Sequence, residues 1–187
     1  MTRLLLTILS LALLGSCLHS ISLTDAGEKG TALDLGGVKS VIPSDWKKET
    51  PKSFLRKYEY SLPKAKGDKE DAELAIFFFK GGGGGVEANL ARWKNEFLAP
   101  KGKTIEEVSK VKKFDVGEVK VVYLDLSGTY KYKKKFSDTK YIPKENFRRI
   151  GVIFQTKVGP YFLKLTGPEK TIAKHQKSFD NWLKGFK

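Results

Sequence analysis

One short segment constrains the architecture of this chain more than any other. Residues 73–79 read ELAIFFF and form the most apolar run outside the N-terminal leader. A run of this length, rich in aromatic and branched side chains, is typical of a strand that is buried on both faces. The rest of the chain must therefore supply a sheet around this strand and amphipathic helices that cover the apolar face or faces of that sheet.

Further strands are predicted from alternating apolar and polar residues. They cover an opening strand or strand pair at 33–43 and strands at 54–62, 105–114, 119–130, 147–157 and 161–165. Short turns such as 158–160 join several of them and indicate antiparallel neighbours. Residues 131–146 are polar and predict a long connection rather than a strand.

Two helices are predicted from apolar residues at helical spacing. Val86, Leu90, Trp93 and Phe97 share one face of the first helix. Residues 166–169 predict the start of the second helix, with Thr166 as its cap and a proline in its first turn. The fold class is therefore predicted as α+β, a mostly antiparallel sheet of six to seven strands packed with two main amphipathic helices. Residues 33–187 are predicted to form a single domain, with Trp46, Trp93 and Trp182 in its core.

The N-terminus has the pattern of an export signal. Arg3 precedes an uncharged apolar run at 4–14, which is too short for a transmembrane helix. Residues 14–17, Leu-Gly-Ser-Cys, resemble the lipobox of bacterial lipoproteins. That resemblance implies a signal peptide over residues 1–16, lipidation of Cys17 and a tether over 17–32. The alternative is an ordinary cleaved signal in which Cys17 is incidental.

A lipidated Cys17 would place the domain at a bacterial cell envelope, with the membrane as a partner through the N-terminal lipid. Leu18 follows the cysteine, whereas enterobacterial lipoproteins retained at the inner membrane carry an aspartate there. In a Gram-negative host this difference favours the outer membrane or a periplasm-facing location.

Three stretches carry a resemblance to a known fold family. They are VIPSDW at 41–46, GGVEANLARWKNEF at 84–97 and GPYFLKLTGPEKTIAKHQKSF at 159–179. They look like bacterial secreted or lipid-anchored proteins of unassigned function, and the order of elements is similar to the PsbP/Mog-type α/β sandwich over residues 36–187. The resemblance implies a PsbP-like fold. It implies no activity, because no residues responsible for the activities of that fold can be matched here.

A dense basic region is the strongest candidate binding site. The chain has 35 basic and 21 acidic side chains, for a formal net charge of +14. The predicted anion-binding residues are Lys131, Lys133, Lys134, Lys135, Lys140, Lys144, Arg148 and Arg149. Aromatic residues are interleaved with them, and only Asp138 and Glu145 oppose their charge. Such a loop can attract an anionic surface, although a solvated solubility loop has the same composition.

The expected partners follow from this charge and from export. An anionic lipid, a polysaccharide or an acidic protein fits the basic loop, and the export signal argues against nucleic acid. The leading hypothesis is thus a non-catalytic, lipid-anchored envelope protein that binds an anionic envelope component or partner protein. The alternative is an assembly or accessory factor of a membrane protein complex, recognised through a sheet face or a helix groove.

Catalysis, cofactors and metals have little support in the sequence. His175 is the only histidine of the predicted domain, and it is interpreted as an ordinary surface or boundary residue of a helix. The acidic residues at 68–73 lack the spacing of an EF-hand, which favours a solvated turn. The glycine run at 81–85 lacks the P-loop pattern, which favours a flexible loop over anion binding. We therefore expect no enzyme, no cofactor and no metal site.

Overall fold

The computed structural model describes residues 30–135 and 137–187. The predicted signal peptide, Cys17 and most of the predicted tether lie outside these residues. In the part of the chain that the structure describes, no helix combines the length and apolarity needed to cross a membrane.

The described residues form one large antiparallel sheet, a small two-stranded sheet and two helices. In chain order the elements are β1 (Ala32–Asp34), β2 (Lys39–Val41), β3 (Lys47–Glu49), β4 (Arg56–Leu62), β5 (Ala72–Phe78), α1 (Val86–Asn95), β6 (Phe97–Leu98), β7 (Ser109–Val116), β8 (Val119–Tyr132), β9 (Ile142–Thr156), β10 (Gly159–Pro168) and α2 (Glu169–Lys184). The large sheet has the order β3-β4-β5-β10-β9-β8-β6, with β7 also pairing to β8, and β1 pairs with β2. The predicted α+β class is confirmed. The described residues contain ten strands rather than six to seven, because 33–43 forms the pair β1 and β2 and the short strands β3 and β6 were not predicted.

The sheet is covered on both faces, as the apolar run of β5 requires. Leu74 and Ile76 belong to a core shared with Phe179 and other residues of α2. On the opposite face Phe77 packs against a second core that includes Leu90 of α1. The alternation of β5 thus sends successive side chains into two different cores, which confirms its burial on both faces.

The three tryptophans are buried, as predicted. Trp46 and Trp182 meet edge to face in the core beneath α2, with ring centroids 5.2 Å apart. Trp93 lies in the core beneath α1, where its ring meets that of Phe162 edge to face at 6.4 Å. They are therefore packing residues of the core, although Trp182 also borders a shallow groove between β2 and α2.

The predicted connection at 131–146 is too long, because β8 and β9 extend into both of its ends. Tyr130 pairs with Lys144 and Tyr132 pairs with Ile142, so only residues 133–141 connect β8 to β9. Lysines and a proline replace the expected apolar residues here, which hid the alternation. The result is a longer β8–β9 hairpin with a shorter connection than predicted.

The predicted cap of α2 is also wrong. Thr166 lies within β10, and its hydroxyl accepts a hydrogen bond from Nε of Arg149 at 2.9 Å. The helix is capped instead by Asp68 of the β4–β5 loop. Its Oδ2 accepts the backbone N–H of Thr171 at 2.9 Å and the hydroxyl of Thr171 at 2.6 Å. A cap supplied from a distant loop has no local sequence signal.

Strand pairing also defines two opposite ends of the sheet. The β3–β4 loop, residues 79–85 and the β9–β10 turn lie at one end, which we call the Phe54 end. The β4–β5 loop and the β8–β9 connection lie at the other end, which we call the hairpin end.

Candidate functional site: the basic hairpin

The predicted basic region has two parts. Lysines at the tip of the β8–β9 hairpin are exposed, and the basic side chains nearer the sheet form ion pairs with carboxylates. Lys133, Lys134, Lys135 and Lys140 are exposed on the β8–β9 connection, and Lys131 is half-buried at the end of β8. In residues 30–135 and 137–187, none of the ion pairs involves these five lysines. The hairpin therefore gathers cations that have no internal counter-charge.

Asp138 shapes the tip rather than neutralising it. Its Oδ2 accepts the backbone N–H of Lys135 at 2.9 Å, and its own N–H donates to the carbonyl of Lys135 at 3.1 Å. This pair of bonds closes a turn, as aspartate side chains often do. No ion pair among the described residues joins Asp138 to a tip lysine, so the exposed ammonium groups remain available to solvent. Phe136 lies outside the described residues.

Lys144 holds the hairpin to its neighbours. Its Nζ pairs with the carboxylate of Glu70 in the β4–β5 loop. The same ammonium lies 4.6 Å from the ring centroid of Tyr132 and 5.2 Å from that of Phe147. Because its ammonium group contacts two aromatic rings and one carboxylate, Lys144 has a structural role.

Arg148 points toward α2. Its Nε and Nη2 donate to the two carboxylate oxygens of Asp125 at 2.7 and 2.6 Å, and Nη2 also donates to Gln176 at 2.9 Å. A bidentate arginine–carboxylate pair of this kind is geometrically specific. Hydrogen bonding to Asp125 raises the pKa of Arg148 above its ordinary value.

Arg149 points to the opposite face and is only 2% exposed. It forms an ion pair with Glu96, which follows α1, and lies 4.9 Å from the ring centroid of Tyr130. Both arginines are thus internal partners of carboxylates, which corrects their prediction as residues that bind an external anion. Adjacent residues of a strand face opposite sides of the sheet, so the two could not share one surface.

Arg149 belongs to a cluster of charged side chains that was not predicted from the sequence. Glu96 also accepts a hydrogen bond from Nζ of Lys164 at 3.0 Å. Burial alone would raise the pKa of Glu96, but Arg149 and Lys164 hold it at about 2. Burial and the neighbouring Arg149 lower the pKa of Lys164 to about 8. Glu96 lies 53 residues from Arg149, so no local motif could reveal the cluster.

Lys164 has an unusually apolar setting for an ammonium group. Its Nζ lies 5.7 Å from the ring centroid of Trp93 and 5.9 Å from that of Phe77. Its bond to Glu96 occupies the amine, so the lysine fastens β10 to the end of α1.

A second charged network holds the β3–β4 loop. The Glu59 side chain is 1% exposed, and its carboxylate pairs with Nζ of Lys52 at 3.1 Å and with Arg56 at 2.8 Å. Arg56 also pairs with Glu73 on β5 at 2.8 Å. Burial alone would raise the pKa of Glu59, but the Lys52 backbone N–H and the Arg56 and Lys52 side chains lower it.

His175 is buried, which corrects its prediction as a surface or boundary residue. Its Nε2 lies 2.8 Å from the carbonyl oxygen of Pro63, and its Nδ1 lies 3.5 Å from Oδ2 of Asp45. The ring therefore connects α2 to two loops that pack against it. These contacts give the histidine a structural role.

The acidic residues at 68–73 are engaged separately. Asp68 caps α2, and Asp71 accepts bonds from the Ser61 hydroxyl at 3.0 Å and the Lys64 N–H at 2.9 Å. Among the described residues, no group of three or more His, Cys, Asp or Glu side chains is placed to hold a metal ion.

The glycine run is ordered by Asn89 of α1. The Nδ2 of this side chain donates to the carbonyl oxygens of Gly83, Gly84 and Gly85 at 3.0, 3.1 and 2.9 Å. Gly81, Gly82 and Gly84 have φ values of 94°, 109° and 87°, a region that favours glycine. The run thus lets the chain turn from β5 into α1.

Comparisons with known proteins give structural similarity alone. No family model matches the chain. No curated protein matches it. A solved structure of cyanobacterial PsbP (CyanoP) from Synechocystis sp. PCC 6803 is similar over 93% of this chain and 98% of its own, with 12% identity and a TM-score of 0.48. A Pseudomonas aeruginosa protein of unknown function is similar over 82% of this chain and 93% of its own, with 14% identity and a TM-score of 0.43.

These values describe a resemblance in shape at low identity. No family and no activity is carried over from either structure, and membership of a lipoprotein family remains a prediction.

Proposed function

We propose that this chain is a non-catalytic, lipid-anchored protein of a bacterial cell envelope. It binds an anionic envelope component or an acidic partner through the exposed lysines at the tip of the β8–β9 hairpin. The observation that carries the proposal is the position of Lys133, Lys134, Lys135 and Lys140, which are exposed together on one short connection.

The charge distribution supports this choice of surface. Lys144, Arg148 and Arg149, at the base of the hairpin, are each committed to a carboxylate. The tip lysines lack such partners among the described residues, so an external anion can bind them without breaking an internal ion pair. Binding through several exposed ammonium groups is electrostatic and must weaken as salt increases.

A charge-reversal variant tests the proposal. The variant carries Lys133→Glu, Lys134→Glu, Lys135→Glu and Lys140→Glu, and binding of the full chain to anionic envelope polymer and to anionic lipid is measured at low and high salt. The matched control reverses four exposed lysines of β7 and β8, namely Lys110, Lys112, Lys113 and Lys120. We expect the hairpin variant to lose salt-sensitive binding and the control to keep most of it. Equal loss in both variants would show that net charge, rather than the hairpin, drives binding.

The lipid anchor needs its own test. Cys17 is the only cysteine of the sequence, so Cys17→Ser removes the whole chain's capacity for thiol acylation. Metabolic labelling with a fatty acid should mark the unsubstituted chain and leave the variant unlabelled. Release of the variant from the membrane fraction is the expected consequence.

The alternative function, an assembly or accessory factor, has one supporting feature. A shallow groove runs between β2 and α2, with Val41, Lys177 and Asn181 among its lining residues. Val41 is exposed at this groove although it is apolar. Co-purification of one stoichiometric protein that survives high salt and is lost with Val41→Asp would favour this function over the first.

A further inference from the structure

The β8–β9 hairpin projects past the neighbouring strand at the hairpin end. Strand β10 ends at Pro168, which pairs with Phe147 of β9. The pairing of β8 with β9 continues beyond that point to Tyr132 and Ile142. Ile142 lies five residues beyond Phe147, and a strand rises about 3.4 Å per residue, so the hairpin extends roughly 17 Å past the end of β10. Its tip can therefore touch an external surface that β10 does not reach.

Apolar side chains are exposed at the far end of this hairpin. Tyr141 is 42% exposed and the adjoining Ile142 is 47% exposed. The exposed Lys140 directly precedes them. Leaving an isoleucine in water forgoes the stabilisation that its burial supplies. A tyrosine and an aliphatic residue beside lysines are the kinds of side chain that lie at the boundary between water and a lipid bilayer.

The charge of the hairpin end matches a bilayer that contains anionic lipids. Residues 131–145 contain six lysines and two acidic residues, and the neighbouring loop at 63–71 contains three lysines and three acidic residues. Glu169 and Lys170, at the start of α2, balance each other. The hairpin end thus has an excess of four positive charges, all of it contributed by the hairpin. Anionic headgroups attract such a cluster of lysines.

The Phe54 end provides a contrast. Phe54 is 96% exposed, so this end also presents an aromatic side chain to solvent. Its basic residues, however, are balanced by acidic residues at the same end, namely Glu49, Glu59, Glu73, Glu87, Asp115 and Glu118. Only the hairpin end combines exposed apolar side chains with surplus positive charge among the two ends.

The first described residues enter the domain from the direction of the hairpin end. Gly30 leads into β1, and a Cβ on Gly36, beyond the far end of β1, would collide with Cγ2 of Val158 in the turn at the Phe54 end. Strand β1 therefore runs toward the Phe54 end. Cys17 is thirteen residues before Gly30, which corresponds to at most about 45 Å of extended chain.

Contacts at the start of β1 agree with this direction. The carbonyl of Thr31 accepts the N–H of Ile42 at 3.0 Å, so the described chain begins beside the end of β2. Asp45, three residues after Ile42, lies 3.5 Å from Nδ1 of His175. The Nε2 of that ring lies 2.8 Å from the carbonyl oxygen of Pro63, in the β4–β5 loop at the hairpin end. A lipid on Cys17 and the tip of the hairpin can thus meet the same bilayer.

We propose that the anionic partner of the hairpin is a lipid bilayer, with Tyr141 and Ile142 inserted at the headgroup level and the tip lysines against the lipid phosphates. This inference rests on the proposed function, because it names the component that the same lysines bind. A protruding tip can enter a fluid interface without a complementary pocket. Docking in this way turns the Phe54 end away from the membrane.

Position-specific tryptophan quenching tests the insertion. Residues 17–187, which include the whole described domain, are made without acylation, so that neither the leader nor an acyl chain binds lipid. The vesicles contain equal parts phosphatidylcholine and phosphatidylglycerol, with bromine in the acyl chains. The variants are Tyr141→Trp, Ile142→Trp and, as the control at the opposite end, Phe54→Trp. The three native tryptophans are buried, and the unsubstituted chain gives their background.

We expect quenching of Tyr141→Trp and Ile142→Trp well above background, and only background quenching of Phe54→Trp. Vesicles of phosphatidylcholine alone should quench none of the three, because they offer the lysines no anionic surface. Ile142→Ser should weaken binding to the mixed vesicles about tenfold relative to Val111→Ser, which changes an exposed valine of β7. Background quenching at both 141 and 142, or equal quenching at 54, would overturn the proposal.

The same measurements separate this inference from the proposed function. Reversal of the four tip lysines should abolish both vesicle binding and the quenching of Tyr141→Trp. Lysine-dependent binding to an anionic polysaccharide, without binding to the vesicles, would overturn the lipid assignment and leave the proposed function standing. Lysine-dependent binding to vesicles without quenching would overturn the insertion and also leave the proposed function standing. Absence of lysine-dependent binding to every anionic probe would overturn both.

Discussion

Arg149 and Glu96 form an ion pair between strand β9 and the chain just after α1, against the face of the sheet that α1 covers. The guanidinium also lies 5.2 Å from the ring centroid of Phe97. Glu96 binds Lys164 as well, so one carboxylate serves two cations from neighbouring strands. The end of α1 is therefore fastened to the sheet by charge in addition to apolar packing.

Replacing Glu96 by glutamine should destabilise the fold. The substitution leaves Arg149 buried without a counter-charge, and removal of one partner of a buried pair costs about 3–5 kcal/mol when the pair is fully desolvated. Glu96 is partly exposed, so we expect about half of that cost. Urea denaturation of Glu96→Gln against the unsubstituted chain measures it.

The same pair gives a pH dependence that serves as a check. The pKa of Glu96 is about 2 in the folded state, below its ordinary value of about 4.3 in an unfolded chain. The difference in stability between the two proteins should be complete above about pH 4.3 and shrink as pH falls toward 2. A difference that is constant with pH would contradict an ionic origin. Glu118→Gln, in the exposed pair with Lys157, is the control and should leave the denaturation midpoint unchanged.

Lys164 predicts a rise of stability in mildly alkaline solution. Its pKa is lowered to about 8, whereas an unfolded lysine titrates near 10.4. Between these values the unfolded chain binds more protons than the folded one, so the free energy of unfolding increases with pH. Chemical denaturation from pH 7 to 9.5 should show the rise in the unsubstituted chain and lose most of it in Lys164→Met. A rise that persists in the variant would assign the effect to another group.

The elements that local periodicity defines were predictable. The apolar run of β5, the alternation in β8 and β10 and most of the apolar face of α1 follow from side-chain spacing, and the structure confirms them. Phe97 is the exception, because α1 ends at Asn95 and Phe97 begins β6, although its side chain still packs in the core beneath α1. The extension of the β8–β9 hairpin was not predictable, because lysines and a proline occupy positions that an alternating strand pattern fills with apolar residues. Lys144 of β9 lies over the ring of Tyr132 on β8 and over that of Phe147 on its own strand, and the first of these contacts joins the two strands.

The candidate site was predictable only in its exposed part. Composition alone identified the lysines at the tip of the hairpin. It could not separate them from Arg148 and Arg149, because burial depends on carboxylates that lie 23 and 53 residues away in the sequence. Because Asp125 and Glu96 pair with the two arginines, only the lysines at the tip of the hairpin remain as an exposed basic surface.

Removal of the remote cap should weaken α2. Asp68→Ala deprives the N–H and the hydroxyl of Thr171 of their acceptor, and loss of a capping side chain costs about 1 kcal/mol. We expect a lower free energy of unfolding, measured by urea denaturation followed by far-ultraviolet circular dichroism. Asp138→Ala removes an aspartate of an exposed turn and should change stability less. An equal loss in the two variants would mean that Asp68 acts as an ordinary turn residue.

Gly151 predicts a steric effect beneath α1. A Cβ at this position would lie 2.5 Å from Cε3 of Trp93, closer than real side chains approach. Gly151→Ala should therefore destabilise the protein by about 1–3 kcal/mol, as overpacked cores do. The cause can be separated from a change in strand propensity by a double-mutant cycle with Trp93→Leu. If the indole is the obstacle, alanine at 151 costs much less in the Trp93→Leu background. An undiminished cost there would place the obstacle in the backbone of β9 instead.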